Sequence, residues 1–372
     1  MKILVLTSYA SPTNVRNDLL VSAVTAGHEV VVVAPERDDI MREPLARIGV
    51  RYAEWPVRRT GIDLRGDVLA AHRLSRIISK EKPDALLIYQ IKAVLLGPLV
   101  AKVRRVPHIV VLINGLGMVF DEHGFGLTWK ARVARAVYRG SLLLADRLVF
   151  QNNDDPEFLR QRGVLSNRAD WRVVPGSGVD LAKLVPAATR PTVPTFTLVS
   201  RLLVSKGIPE FVSAARELRS RHPKVRFVLA GQLEQQDRDD AVQKTDLDRW
   251  IAEGVISYPG FVGDVRSLLA DTTVFVLPSY YREGVPRTNL EALAMALPIV
   301  TTDSVGCRDT VRDGVNGFLV PPRDVPTLVN RLERYLMDPG LVESHGRASR
   351  ALAESQFDVQ RVNALMLESL RR

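Results

Sequence analysis

Short apolar runs alternate with stretches of helical spacing along this chain, and the alternation stops once and then restarts. In the first half, strands are predicted at residues 3–7, 29–34, 85–89, 108–113, 147–151 and 171–174, with helices near 19–25, 67–78, 93–103 and 128–144. The second half predicts strands at 196–199, 226–230, 255–259, 273–277 and 299–302, and helices at 208–218, 264–270, 289–296 and 325–336. Strands separated by helices pair in parallel through crossovers, which gives βαβ sheets covered on both faces. The break is LVPAATRPTVPT at residues 184–195, with three prolines and few large apolar side chains. The expected organisation is α/β: a Rossmann-like domain over 1–185, a linker over 186–195 and a second Rossmann-like domain over 196–355. Residues 356–372, helical in spacing, are expected to cross back to the first domain. Open parallel sheets bind ligands beyond the C-terminal ends of their strands. Two such domains facing across a cleft would bring two substrates together.

A chain of 372 residues, 46% hydrophobic and 25% charged, has ordinary globular composition and suits two domains. No apolar run approaches the roughly 18–20 residues needed to span a bilayer, and the opening MKILVLTSYASP reads as a first strand rather than a signal peptide. Cys307 is the only cysteine, which excludes an intrachain disulfide and a cysteine-based zinc cluster and suits a reducing cytoplasm. The net charge of +9 is uneven. Residues 1–185 hold 27 Lys or Arg against 19 Asp or Glu, a net of +8. A nucleic acid, an anionic membrane face or a phosphorylated substrate would each suit that excess, as would simple solubility. The chain has no cysteine–histidine finger, RNA-reading aromatic motif or repeated basic–aromatic groove, which argues against nucleic acid.

Residues 278–291 read PSYYREGVPRTNLE. Glu283 and Glu291 stand eight positions apart, with a proline turn between them and a helical pattern after it. A loop carboxylate can reach sugar hydroxyls, and the following helix can offer its N-terminal amides to a diphosphate. Such a pair can grip a nucleotide sugar at two places.

Taken with SRLLVSKG at 200–207, AGQ at 230–232, PGFVGDV at 259–265 and GVNGFLVPPRD at 314–324, this segment resembles the retaining glycosyltransferases of the GT4 family. That resemblance implies a GT-B fold, a UDP-sugar as co-substrate and no essential metal. It implies that Arg201 and Lys206 meet the donor phosphates, where two fixed cations also stabilise the leaving diphosphate. It matches Glu291 to a ribose-binding glutamate and Glu283 to one that orients the donor sugar. The backbone through Val285, Pro286, Arg287, Thr288, Asn289 and Leu290 is then expected near sugar and diphosphate. Pro286 suits the first helical turn, where no amide bond is lost. Gly260, Val262 and Val265 fall on the expected nucleotide-base shelf, and Gly231 where backbones approach closely. Both glycines equally suit ordinary turns.

In the first half, residues 89–120 have a narrower resemblance, to bacterial members that extend sugars on undecaprenyl diphosphate. Tyr89, Gln90, Ile91 and Lys92 keep most of a run typical of those enzymes, and NGLGMVF at 114–120 resembles their TGLG-type segment, with Asn114 in place of threonine. The resemblance implies an acceptor site that includes Arg16, Tyr89, Lys92, Asn114, Gly115 and Gly117. Lys92 is expected at a phosphate, and the two glycines where the chain nears the reacting sugar. No histidine is nominated as catalytic, and histidine spacing gives no metal motif. Trp129, Val133, Val137 and Leu142 can share one side of a helix, with Lys130, Arg132, Arg135 and Arg139 nearby. This segment reads either as a surface for an anionic membrane or as ordinary helix packing under a charged face.

The expected activity is therefore sugar transfer from a UDP-sugar to a polyprenyl-diphosphate-linked glycan, on the cytoplasmic face of the plasma membrane. Transfer to a soluble glycan or small metabolite, and nucleotide-sugar epimerisation, remain open alternatives at this point.

Overall fold

Both halves of the chain form parallel sheets wound with helices, as seen in a computed structural model that describes residues 1–9, 16–57, 63–116, 129–234 and 239–371. The chain divides into two compact units, residues 1–177 with 359–372 and residues 178–358. The expected linker, 186–195, falls within the second unit.

The first unit runs β1 (Lys2–Thr7), α1 (Asn17–Thr25), β2 (Glu29–Ala34), α2 (Asp38–Ala46), β3 (Arg51–Glu54), α3 (Leu64–Glu81) and β4 (Ala85–Tyr89). It continues through α4 (Ile91–Val103), β5 (His108–Ile113), α5 (Trp129–Leu144), β6 (Arg147–Phe150), α6 (Asp154–Gln161) and β7 (Trp171–Val173). All seven strands are parallel, in the order β3-β2-β1-β4-β5-β6-β7. Side chains alternate across a strand, so each strand feeds two cores. Leu4 and Leu6 join Leu74, Val94 and Leu142 of α3, α4 and α5 on one face. Ile3 and Val5 join Leu20, Met41 and Met366 on the other. Each buried aliphatic side chain contributes about 1.5–3 kcal/mol relative to exposure. Asp63 starts α3 by accepting the Gly66 amide at 3.1 Å.

The second unit runs β8 (Thr195–Val199), α7 (Ile208–Arg221), β9 (Arg226–Ala230), α8 (Lys244–Ala252), α9 (Arg266–Ala270), β10 (Val274–Leu277) and α10 (Arg287–Ala294). It ends with β11 (Ile299–Thr302), β12 (Gly317–Val320), α11 (Val325–Met337) and α12 (Gly340–Leu352). Its parallel sheet has the order β12-β11-β10-β8-β9 around a single apolar core. Asp324 caps α11 by accepting the Thr327 amide at 2.9 Å. The last helix, α13 (Val359–Ser369), returns to the first unit and packs on α1, where Asn363 donates to Ser22 at 2.9 Å.

Several elements differ from the sequence reading. β3 escapes it because RYAE is an edge strand with little apolar character, and β12 because GFLV is short and opens on glycine. The strand expected at 255–259 makes only a single bridge, Ser257 to Val228. Pro259 has no amide with which to extend it. Helix α10 begins two residues earlier than expected, and Pro286 is its N-cap residue rather than part of its first turn.

Candidate active site

Each sheet has one place where successive connections leave in opposite directions, and there the strand ends leave a crevice. In the second unit this switch point lies between β8 and β10, so the segments after Val199 and Leu277 meet. The first carries Arg201 and a short 3₁₀ turn, Val204–Lys206, and the second carries residues 278–286.

Close approach of the two segments depends on glycine. Gly207 has φ of 76°, and a Cβ there would lie 2.1 Å from the Pro278 carbonyl oxygen. Gly306, also left-handed at φ of 78°, would place a Cβ 1.8 Å from the Gly284 oxygen. Both positions need the backbone that only glycine adopts without strain. Gly306 lies outside the motif segments; its signal in the sequence is a glycine shortly after the end of β11.

Lys206 and Glu283 are brought together. The Lys206 ammonium makes an ion pair with Glu283 Oε1, and the two side chains are only 9% and 15% exposed. The Ser279 hydroxyl lies 3.1 Å from the same carboxylate oxygen, and the ammonium sits 5.1 Å from the Tyr281 ring centroid. Arg201 is half exposed, with its guanidinium 3.6 Å from Glu234. Glu291, on the first turns of α10, accepts from Arg287 Nε at 3.0 Å. Burial pushes the Glu291 carboxyl above its ordinary pKa, and the Arg287 charge and hydrogen bond offset part of that rise.

Of the other expected donor residues, Val285 and Leu290 are buried in the apolar core and Asn289 donates to Thr310 at 2.9 Å, so these side chains face inward. The amides of Asn289 and Leu290 bond back to the Pro286 carbonyl at 3.1 and 3.3 Å. Thr288 is half-buried and Arg287 exposed. Gly231 does mediate a close approach: a Cβ there would meet the Ser200 oxygen at 1.7 Å, and its amide donates to the Gly260 carbonyl at 2.9 Å. Gly260 is left-handed at φ of 82° with open space around it, as a turn requires. Val262 and Val265 pack partly buried against the core. Cys307 is fully buried, which raises its thiol to about 11.

In the first unit the switch point lies between β1 and β4. Gln90 sits there with φ of 72°, strained for a residue with a Cβ. Its side-chain oxygen accepts from Thr7 at 2.8 Å and Ser8 at 3.3 Å, while its amide donates to the Tyr9 carbonyl at 3.1 Å. Arg16, also left-handed at φ of 35°, starts α1 and reaches Asn114 Oδ1 at 3.5 Å. Asn114 is exposed, and Gly115 follows with φ of 112°. Tyr89 is buried; burial raises its phenol pKa, with Arg16 and Thr7 partly countering that. Gly117 lies outside the described residues.

Two expectations are corrected here. Lys92 is turned inward: it is 6% exposed, and its ammonium lies 2.7 Å from both Asp67 oxygens, which ties α4 to α3. A helix start beside a strand end does not reveal which way a long side chain folds. On α5, Val137 and Leu142 do not share a side, because Leu142 is in the core and Val137 is 47% exposed. Five residues along a helix turn by about 500°, which leaves such positions well apart. Residues 129–134, including Trp129, Lys130, Arg132 and Val133, have no described side chains. Among the described residues, no group of three or more His, Cys, Asp or Glu could hold a metal, and no helix is long and apolar enough to cross a membrane.

Comparison with known proteins adds to this geometry. The family described as glycosyl transferase 4-like domain matches residues 13–176, and glycosyl transferases group 1 matches residues 193–338. Sucrose-phosphate synthase from Thermosynechococcus elongatus superposes with a TM-score of 0.82 at 19% identity, covering 99% of this chain and 98% of that one. The chain is a GT-B glycosyltransferase. Anabaena HepE, solved with UDP-glucose, shares the fold of this glycosyltransferase at a TM-score of 0.80 and 18% identity, covering 100% of this chain and 99% of that one. Among curated proteins, the N,N'-diacetylbacillosaminyl-diphospho-undecaprenol alpha-1,3-N-acetylgalactosaminyltransferase of Campylobacter jejuni is 26% identical to it over 84% of this chain and 83% of that protein. The UDP-Gal:alpha-D-GlcNAc-diphosphoundecaprenol alpha-1,3-galactosyltransferase of Escherichia coli is 27% identical over 78% and 76%.

Proposed function

We propose that this glycosyltransferase moves a hexosyl or N-acetylhexosaminyl group from a UDP-sugar to a glycan linked to polyprenyl diphosphate, with retention at the anomeric carbon. The observation that carries the donor half is the meeting of Lys206 and Glu283 at the β8/β10 switch point, with Arg201 on one segment and the start of α10 on the other. Arg201 and Lys206 hold the diphosphate, Glu283 takes sugar hydroxyls and Glu291 takes the ribose. The amides of Arg287 and Thr288 open α10 and add two donors for the diphosphate. Gly231, Gly260, Val262 and Val265 form the shelf beneath the base.

In the reaction, an acceptor hydroxyl oxygen bonds to the anomeric carbon as the bond from that carbon to the diphosphate oxygen breaks. The hydroxyl proton passes to a phosphate oxygen on the same face. The charge that develops on the departing UDP falls beside Arg201 and Lys206, where fixed cations stabilise the transition state more than the ground state.

The acceptor half rests on the Campylobacter and Escherichia relatives, both named for transfer to sugars carried by diphospho-undecaprenol. Arg16, at the start of α1, reaches Asn114 just after β5, the strand next to β4, and its cation suits a diphosphate; Asn114, Gly115 and Tyr89 complete the acceptor side of this reading. Lys92 contributes by locking α4 to α3 through Asp67. Contact with an anionic membrane on the cytoplasmic side fits the +8 charge of residues 1–185. It also fits the outward Val68 and Leu69 on α3, Leu99 and Val103 on α4 and Val137 on α5, which are 47–70% exposed.

The test is product formation from a panel of UDP-sugars, with and without a short polyprenyl-diphosphate-linked sugar, read by mass spectrometry of the acceptor and by UDP release. A mass gain of one sugar only when both substrates are present is expected. Equal transfer to soluble glycans would overturn the lipid-linked acceptor, and isomerised nucleotide sugar without transfer would overturn the transferase chemistry.

A further inference from the structure

We infer that Asp240 is a positioning residue for the donor site, setting the turn that carries Lys206 and, through Ser205, the segment that carries Glu283. Asp240 lies between β9 and α8, outside the motifs that mark the site in the sequence. Its carboxylate takes both polar hydrogens of Ser205: Oδ1 accepts the Ser205 amide at 3.0 Å and Oδ2 accepts the Ser205 hydroxyl at 2.6 Å. The Asp240 carbonyl also accepts the Val204 amide at 2.9 Å, and Leu203 and Ala241 form an antiparallel bridge. The turn before Lys206 is thus held from one side by its backbone and by one side chain.

The other side of Ser205 holds the second segment. Its carbonyl accepts the amides of Tyr280 at 3.0 Å and Tyr281 at 3.1 Å, and lies 3.3 Å from the Ser279 hydroxyl. That hydroxyl is also 3.1 Å from Glu283 Oε1. Ser205 therefore joins the two segments that follow β8 and β10, and Asp240 fixes its orientation. Two acceptor oxygens on a short side chain suit an N–H and an O–H of one residue, a recurrent use of Asp in turns. Asn preserves this geometry, since its oxygen accepts the amide while its nitrogen donates to the hydroxyl oxygen. Ala preserves neither bond. Small displacements of groups that orient reactants reduce rate steeply.

The expected effect on UDP rests on the donor reading proposed above; the expected effect on the free protein does not. Hydrogen exchange of the ligand-free protein and calorimetric titration with UDP are compared for wild type, Asp240→Ala and Asp240→Asn. In Asp240→Ala, the Tyr280 and Tyr281 amides are expected to exchange about tenfold faster, and UDP affinity to fall about five- to tenfold, as suits the loss of two part-buried hydrogen bonds. Asp240→Asn is expected within about twofold of wild type in both readouts, the rescue that a hydrogen-bonded anchor allows and a required charge does not. An Asp240→Ala protein that exchanges and binds like wild type overturns the role, and so does an Asp240→Asn protein as impaired as the alanine variant. Should Asp240→Ala fail to fold, Ser205→Ala deletes only the 2.6 Å bond and is expected to give about threefold effects, with no change overturning the role. A wild-type protein that does not bind UDP sinks the donor reading, while the exchange data still decide the role of Asp240.

Discussion

Replacing Gly207 by alanine separates two costs that usually arrive together. The first is conformational: at φ of 76° a Cβ costs about 1 kcal/mol. Gly254 provides a measure of that cost alone, because it has φ of 67° and nothing within 4 Å of its missing Cβ. The second cost is space. At Gly207 the new methyl would stand 2.1 Å from the Pro278 oxygen, where contacts under 3.0 Å do not persist, so one of the two segments must retreat by about 1 Å. That retreat parts the turn bearing Lys206 from the segment bearing Glu283. Gly254→Ala should lower the melting temperature by about 2–4 °C and leave transfer unchanged. Gly207→Ala should lower it further and reduce kcat/KM about 100-fold, the scale of a 1 Å misplacement. Scanning calorimetry and the coupled transfer assay read the two effects. If the two variants match in melting temperature and in turnover, the close approach does not position the site and this reasoning fails.

Three further outcomes follow from the same geometry. Glu283→Gln removes the carboxylate that engages Lys206, so UDP should bind about fivefold tighter while sugar transfer falls steeply; UDP affinity unchanged or weakened by calorimetry would refute the competition. Asp67→Ala leaves Lys92 buried without its partner and should cost about 3 kcal/mol in denaturant unfolding, whereas the pair Asp67→Leu with Lys92→Met should recover most of it. Glu291 has a carboxyl pKa raised above its free value, so the folded protein holds that proton to higher pH and this group favours folding increasingly as pH falls through the folded value. Ribose binding needs the carboxylate, so UDP affinity should decline on acidification at a pH above the usual glutamate range. Glu291→Gln should remove that dependence and Arg287→Ala should move it upward, and a decline centred at the ordinary glutamate value would count against the assignment.

The fold class was legible because long parallel strands are buried on both faces: LLIY of β4 and IVVL of β5 cannot be read as half-exposed strands. Two of the four edge strands were not legible, since Arg51–Glu54 pairs on one side only and carries little apolar signal, and Gly317–Val320 is short and opens on glycine. Within the donor segments, motif order indicated that Lys206 and Glu283 belong together, and no local pattern announced that they form an ion pair. Lys92 shows the limit most clearly. Its partner, Asp67, is 25 residues away on another helix, and only the packing of α3 on α4 turns the lysine inward. Asp240 was invisible for the same reason: its partner Ser205 is 35 residues distant, and nothing in the run between them marks a contact.

The return of α13 to the first unit gives that unit a history as well as a shape. Met366 and Val362 complete the face of the sheet that holds Ile3, Val5 and Val32, and they are encoded after the whole second unit. At roughly 5–20 residues per second, a ribosome takes about 10–40 s to make the intervening segment. For that interval the nascent first unit presents an apolar stripe that its own chain has not yet supplied a cover for. A stop codon or proteolytic cut just before Val359 would make the exposure permanent, so chaperone dependence and aggregation during synthesis should track the last helix more closely than any residue of the active site.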